Sequence, residues 1–149
     1  MEDVQAAKAP VHLWTVGLLS LIWNGWGCTD YLMTRTRNMD WLSQGGADPQ
    51  VMLAWMDSFP IYAQFGWGLG VWMGLIGSVL LLMRHRWAVP AYALSLLGAL
   101  LGLGYQILRS PAPAPMNEGF FAVLPYIIII VAAAFLYYAH RQKQAGVLR

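Results

Sequence analysis

The side chains of this sequence that could do chemistry are few, and most lie toward the ends of long apolar runs. Asn24, Asp30 and Tyr31 sit in "NGWGCTDYLMTRTRN"; Gln64, Tyr105 and Arg109 come later. Carboxylate, amide, phenol and guanidinium are the groups that hold a polar solute in a pocket. They are also the groups that tie neighbouring helices together by hydrogen bonds. Asp30 has Arg35, Arg37 and Arg109 as possible ionic partners, and near the end of its run it is expected to be hydrated or paired. Asn24 lies deeper, with Cys28 and Tyr31 on its face at i+4 and i+7. Asn24, Asp30, Tyr31, Gln64, Tyr105 and Arg109 therefore form the candidate polar cluster.

Several chemistries find no support. Cys28 is the only cysteine, so no intrachain disulfide can form, and it reads as a small apolar packing residue. His12, His85 and His140 all flank apolar runs, so neither a paired haem site nor a metal centre is expected. The sequence contains no H-E-x-x-H, C-x-x-C, phosphate loop or G-x-S-x-G. No carboxylate lies deeper in an apolar run than Asp30, as proton pumping would want. The net charge of +2 is too small to suggest a nucleic-acid partner. The expectation is a protein with no enzyme activity, no cofactor and no metal.

The elements that must position these residues follow from composition. The chain is 58% apolar and 11% charged, against about 25% charged in soluble domains. Four windows, 11–33, 61–83, 89–108 and 120–138, each approach the roughly 20 apolar residues that cross a bilayer. The predicted fold is all-α: one membrane domain over 1–149, built as a four-transmembrane-helix bundle in contact with lipid. Glu2 and Asp3 beside Lys8, with no small-x-small site after a short apolar run, predict an uncleaved first helix.

The 34–60 loop contains an element of its own. Gly45-Gly46 breaks the chain, and Asp48-Pro49 reads as an N-cap followed by proline at the first helical position. Met52, Trp55, Met56 and Phe59 then recur at i, i+3, i+4 and i+7. This predicts a short amphipathic helix on the membrane surface, acting as a cap or a gate over the bundle.

Small residues form stripes on two of the predicted spans. Gly66, Gly70, Gly74 and Ser78 share one row of the second, and Gly98 and Gly102 lie on the third. Such stripes let two backbones approach closely, here chiefly within one chain. The basic residues set the orientation. Lys8, Arg84, Arg86, Arg141, Lys143 and Arg149 would share one side, leaving Arg35, Arg37 and Arg109 on the other. The positive-inside rule then places both termini in the cytoplasm.

The stretches "WNGWGCTDYLMTRTRN", "GVWMGLIGSVLLLMRHRWAVPAYALSLLG" and "YYAHRQKQAGVLR" cover much of the chain. Through them it resembles a family of small four-helix inner-membrane proteins of proteobacteria, often labelled sugar transporters. The resemblance implies a multi-pass protein of the cell inner membrane. It carries no functional residue across. SWEET-type sugar carriers use three-helix repeats with Pro-Gln in a membrane helix, whereas the only Pro-Gln here is Pro49-Gln50 in the loop. Two functions are expected. The first is a non-enzymatic protein acting by association, as an accessory or assembly subunit bound to another membrane protein or as a homo-oligomer. The alternative is a small solute carrier, possibly for sugars, that uses the polar cluster.

The orientation has a direct test. Alkaline phosphatase fused after Arg149 should be inactive, and fused within 43–47 it should be active; the reverse pattern would refute the assignment.

Overall fold

Local signals start and stop the helices. Pro10 and Pro60, both in extended conformation, precede α1 (Val11–Arg35) and, further on, α4 (Ile61–Leu82). Between them, Asn38 caps α2 (Met39–Ser43) by accepting from the Trp41 N–H at 2.9 Å. Asp48 caps α3 (Pro49–Asp57) by accepting from the Gln50 N–H at 2.8 Å, with Pro49 at the first helical position. Two further long helices follow, α5 (Ala88–Arg109) and α6 (Gly119–Gln144). The computed structural model of the protein describes residues 8–149, so Glu2 and Asp3 lie outside the described residues.

Three helices end in the same way. The N–H groups of Asn38, His85 and Val147 reach back to the carbonyls of Met33, Leu80 and Gln142 at 2.8–3.0 Å. The preceding residue is left-handed each time: Arg37, Arg84 and Gly146, with φ of 56°, 57° and 70°. Glycine takes this conformation freely. An arginine there carries strain of about 1–3 kcal/mol, which the surroundings must over-determine. Arg37 is held by Asp57 at 2.9 Å, and Arg84 Nε donates to the Val147 carbonyl at 3.2 Å.

α4, α5 and α6 are long and apolar enough to cross a membrane. At about 1.5 Å per residue they exceed the roughly 30 Å of hydrocarbon. α1 is as long, with 25 residues, but is not among them. His12, Ser20, Asn24, Asp30 and Arg35 dilute its apolar character. The expected four spans thus become three that qualify by length and composition, with α1 running beside them.

α4 and α5 form the central pair; α1 packs on α4 and α6 on α5. The contact between α4 and α5 is made by glycine. A Cβ on Gly66 would stand 2.6 Å from Leu101 Cβ and 2.9 Å from the Gly98 carbonyl oxygen. One on Gly102 would stand 3.2 Å from the Ala63 carbonyl oxygen, and one on Gly70 3.1 Å from the Ala99 nitrogen. The two stripes therefore face each other inside one chain.

The start of α1 and the end of α6 lie at the same end of the bundle, the terminal end. There Leu13, Leu81, Ala88, Tyr92, Ala139, Val147 and Leu148 make one core cluster, and His12 Nδ1 bonds to the Tyr138 hydroxyl. The C-terminal residues fold onto the α4–α5 turn: the Arg86 N–H donates to the Arg149 carbonyl and the Arg149 N–H to the Arg84 carbonyl, at 2.7 and 2.9 Å. The basic groups of that turn and of the α6 end are thus gathered together.

At the opposite, loop end, α2 and α3 make a strap. α3 turns Met52 and Leu53 inward and buries them, so one face of it covers the bundle. Leu53 was outside the expected stripe of Met52, Trp55, Met56 and Phe59.

Gly98→Ala should destabilise the protein by about 1–3 kcal/mol, the usual cost of overpacking, because backbone atoms of Gly66 and Gly70 occupy the space its Cβ needs. Gly104→Ala, with nothing within 4 Å of the new Cβ, should cost nothing. Thermal unfolding in detergent reads both; equal stability of the two variants would show that the seam is not closely packed.

Candidate functional site

α1 and α6 converge at the terminal end and, unlike the other neighbouring pairs, pack little along their lengths. The space between them is a cavity of about 880 Å³, near the top of the roughly 300–1,000 Å³ typical of small-molecule sites. Ile22, Trp23 and Trp26 of α1 form one wall; Phe120, Leu124, Ile128, Ala132 and Phe135 of α6 form the other. The back is the glycine-rich α4–α5 pair, through Gly70, Ser95, Gly98 and Gly102. Along α6 the lining spans about 22 Å at 1.5 Å per residue.

The strap roofs it with Trp41, Leu42, Met52, Leu53 and Met56. Trp41 Nε1 donates to Asp30 Oδ1 at 2.9 Å, and its ring packs 5.3 Å from that of Trp26. On the far side Trp55 Nε1 donates to the Ser110 carbonyl and hydroxyl at 3.1 and 3.0 Å. The strap is thus fastened both to α1 and to the segment joining α5 and α6.

Cross-helix bonds fix the depth of Asp30. Arg35 Nη1 donates to Gln64 Oε1 at 3.1 Å, and the Cys28 thiol donates to the Val71 carbonyl at 3.3 Å. Asp30 therefore lies between the levels of Gln64 and Val71, about two helical turns in from the start of α4. It is half-buried on the cavity wall. Its partner is the Trp41 indole, not an arginine. Arg35 goes to Gln64, and Arg37 pairs with Asp57 in the ion pair found among the described residues.

The expected cluster divides. Asn24, Asp30 and Gln64 line the cavity. Tyr31 turns aside, edge-on to Trp67 and Trp72 with the Arg35 guanidinium over its ring. Tyr105 packs edge-on to Phe59 and Tyr62. Arg109 is exposed at the end of α5 and lies off the cavity lining.

Asn24 also belongs to a second polar group, midway along the bundle. Its Nδ2 donates to the Ser20 carbonyl at 2.9 Å and lies 3.2 Å from both Ser20 Oγ and Ser78 Oγ. Ser78 Oγ donates to the Gly74 carbonyl at 2.8 Å. Its hydroxyl hydrogen is thereby used, so Ser20 donates to Ser78 at 2.7 Å and the Tyr92 hydroxyl to Ser20 at 2.6 Å. The result is a directed chain, Tyr92 to Ser20 to Ser78 to backbone, joining α5, α1 and α4. Gly74 and Gly77 make room for it, since a Cβ there would meet Asn24 and the Tyr92 ring. No buried side-chain N or O atom among the described residues lacks a partner. Ser20 and Tyr92 were not among the expected residues; a serine one turn before Asn24, on its face, was the available signal.

Among the described residues no three His, Cys, Asp or Glu side chains come together where they could hold a metal ion. What the cavity offers is shape, apolar surface and a few polar groups near its roof.

Asp30→Asn keeps an acceptor for the Trp41 N–H and should cost roughly 0–1 kcal/mol. Asp30→Ala strands that N–H and should cost about 1–3 kcal/mol. In a double-mutant cycle with Trp41→Phe, the Ala penalty should shrink; strict additivity would mean the bond does not hold the strap.

Comparison with protein-family models, with curated proteins and with solved structures finds no match to this chain.

Proposed function

We propose that this is a four-span membrane protein that binds a small hydrophobic molecule between α1 and α6, as a binding protein or carrier, without chemistry of its own. The cavity carries the reading: about 880 Å³, walled mainly by apolar side chains and reaching from the strap to Tyr92 and Phe135. A bundle serving only as a structural subunit has no need of such a void, which forfeits the contacts its walls would otherwise make.

The reading takes α1 as the fourth span. Ser20, Asn24, Asp30 and Thr34 turn toward α4 or the cavity, while Leu18 and Leu19 are exposed. Inward polar groups lower the mean hydropathy of a helix without exposing polarity to lipid. The basic groups gathered at the terminal end favour that end in the cytoplasm, and the family resemblance favours the bacterial inner membrane. A sugar is disfavoured as the occupant, because the walls below the roof offer few free hydrogen-bonding groups.

Association remains a second reading on one observation. Along most of its length α6 packs on α5, leaving Val123, Tyr126, Ile130 and Tyr137 exposed. Lipid or another chain would cover that row.

The two readings separate in one experiment. The protein, purified in mild detergent and weighed by native mass spectrometry, should carry about one small non-protein molecule per chain. Ala132→Phe, which fills the cavity from its wall, should lower that occupancy at least tenfold while thermal stability holds. A fixed second polypeptide, with no small molecule and no effect of Ala132→Phe, would favour the accessory subunit.

A further inference from the structure

We infer that the cavity's occupant is an uncharged single-chain amphiphile, an alkyl or prenyl chain bearing a small hydroxyl or carbonyl head. This rests on the binding reading and adds the class of ligand.

Volume sets the size. If each non-hydrogen atom of a chain takes roughly the ~30 Å³ share of a liquid water, 880 Å³ holds about thirty such atoms. On the same scale a hexose, with about a dozen, leaves most of the space empty, and a two-chain lipid, with more than about forty, does not fit.

Polarity sets the direction. The hydrogen-bonding groups lie near the roof: Asp30, Gln64 and Gln106 on the helices, with Arg35, Arg37 and Asp57 at the rim. Deeper in, the walls are Ile128, Ala132 and Phe135. The polar groups that do reach the deep end, Asn24, Tyr92 and Ser95, already donate to the Ser20 carbonyl and Ser78, to Ser20 and to the Gly70 carbonyl. A chain therefore lies deep and a head lies under the strap.

Charge sets the head. The rim carries two arginines and two aspartates, which cancel. Arg37 and Asp57 neutralise each other at 2.9 Å. Arg35 is bonded to Gln64 and lies over the Tyr31 and Trp67 rings, and Asp30 accepts from Trp41. The rim therefore offers neither an anionic nor a cationic head an excess of opposite charge. A hydroxyl head can donate to Asp30 and accept from the Gln106 amide, and a carbonyl head can accept from the Gln106 amide, with no charge to be balanced.

The test uses the full chain in mild detergent, with tryptophan fluorescence quenched by brominated monooleoylglycerol. Quenching should saturate. Its half-point should lie at least tenfold below those of brominated oleoyl lysophosphatidate and brominated dioleoylglycerol, and Ala132→Phe should raise it at least tenfold. Ile128→Phe fills the same wall and serves if the first variant fails to fold. Equal half-points for the neutral and anionic single-chain probes would overturn the uncharged head. An equal half-point for the two-chain probe would overturn the single chain. In both cases saturable quenching that responds to cavity filling leaves the binding reading standing. Unsaturable quenching by all three probes, indifferent to Ala132→Phe and Ile128→Phe, would remove the binding reading itself.

Discussion

The close approach of α4 and α5 is the constraint on which the rest of the structure depends. Apolar side chains gain little by facing each other when lipid is the alternative, so helices in a membrane associate through dispersion and backbone proximity. Gly66 and Gly70 against Gly98 and Gly102 supply that proximity. Ser95 adds a hydrogen bond across the seam to the Gly70 carbonyl at 2.7 Å. The pair then presents two separate flanks. α1 takes the α4 flank and α6 the α5 flank, and neither is drawn to the other except at the terminal end. The cavity is what remains between two helices that share a scaffold but little contact.

The placement of polar groups follows from the same pair. A hydroxyl or amide in an apolar bundle must find a partner or cost free energy. Gly74 and Gly77, on the α4 face beyond the tightest contact, leave room for Asn24 and the Tyr92 ring. The Tyr92–Ser20–Ser78 chain ends on a backbone carbonyl, so each hydroxyl hydrogen has a destination. This group ties α1 to α4 and α5 at a depth where side-chain packing is thinned by glycine. The polarity that keeps α1 out of the strictly apolar helices is thus what fixes it in place.

Much of this was legible in the sequence. The apolar windows 61–83, 89–108 and 120–138 lie within a few residues of α4, α5 and the first part of α6, because length and hydropathy are local properties. Asp48-Pro49 starts α3 where its cap chemistry indicates. The glycine rows are visible for the same reason, since periodicity along one helix needs no knowledge of another. Partners across the fold were not legible. Asn24 meets Ser78, 54 residues away, and Ser20 meets Tyr92, 72 residues away; no spacing rule joins them. Asp30 was expected to be hydrated or paired because it lies near the end of its apolar run, which assumes that α1 ends level with its neighbours. α1 in fact stops at the height of Gln64, and the strap folds back to place Trp41 over Asp30. α2 was missed because five residues are too few to show a period.

The two ends of the bundle are held by different means. At the terminal end Leu13, Leu81, Tyr92 and Ala139 are almost wholly buried, and the chain's last residues are laced to the α4–α5 turn through backbone hydrogen bonds. At the loop end the strap is fastened by two indole N–H bonds and one ion pair whose side chains are about half exposed, at 56% and 50%. An exposed pair of that kind contributes only about 0–1 kcal/mol. The polar ties of the strap are thus few and partly exposed, and it is held also by the buried Leu42, Met52 and Leu53, while the glycine seam and the terminal core set the depth and width of the cavity.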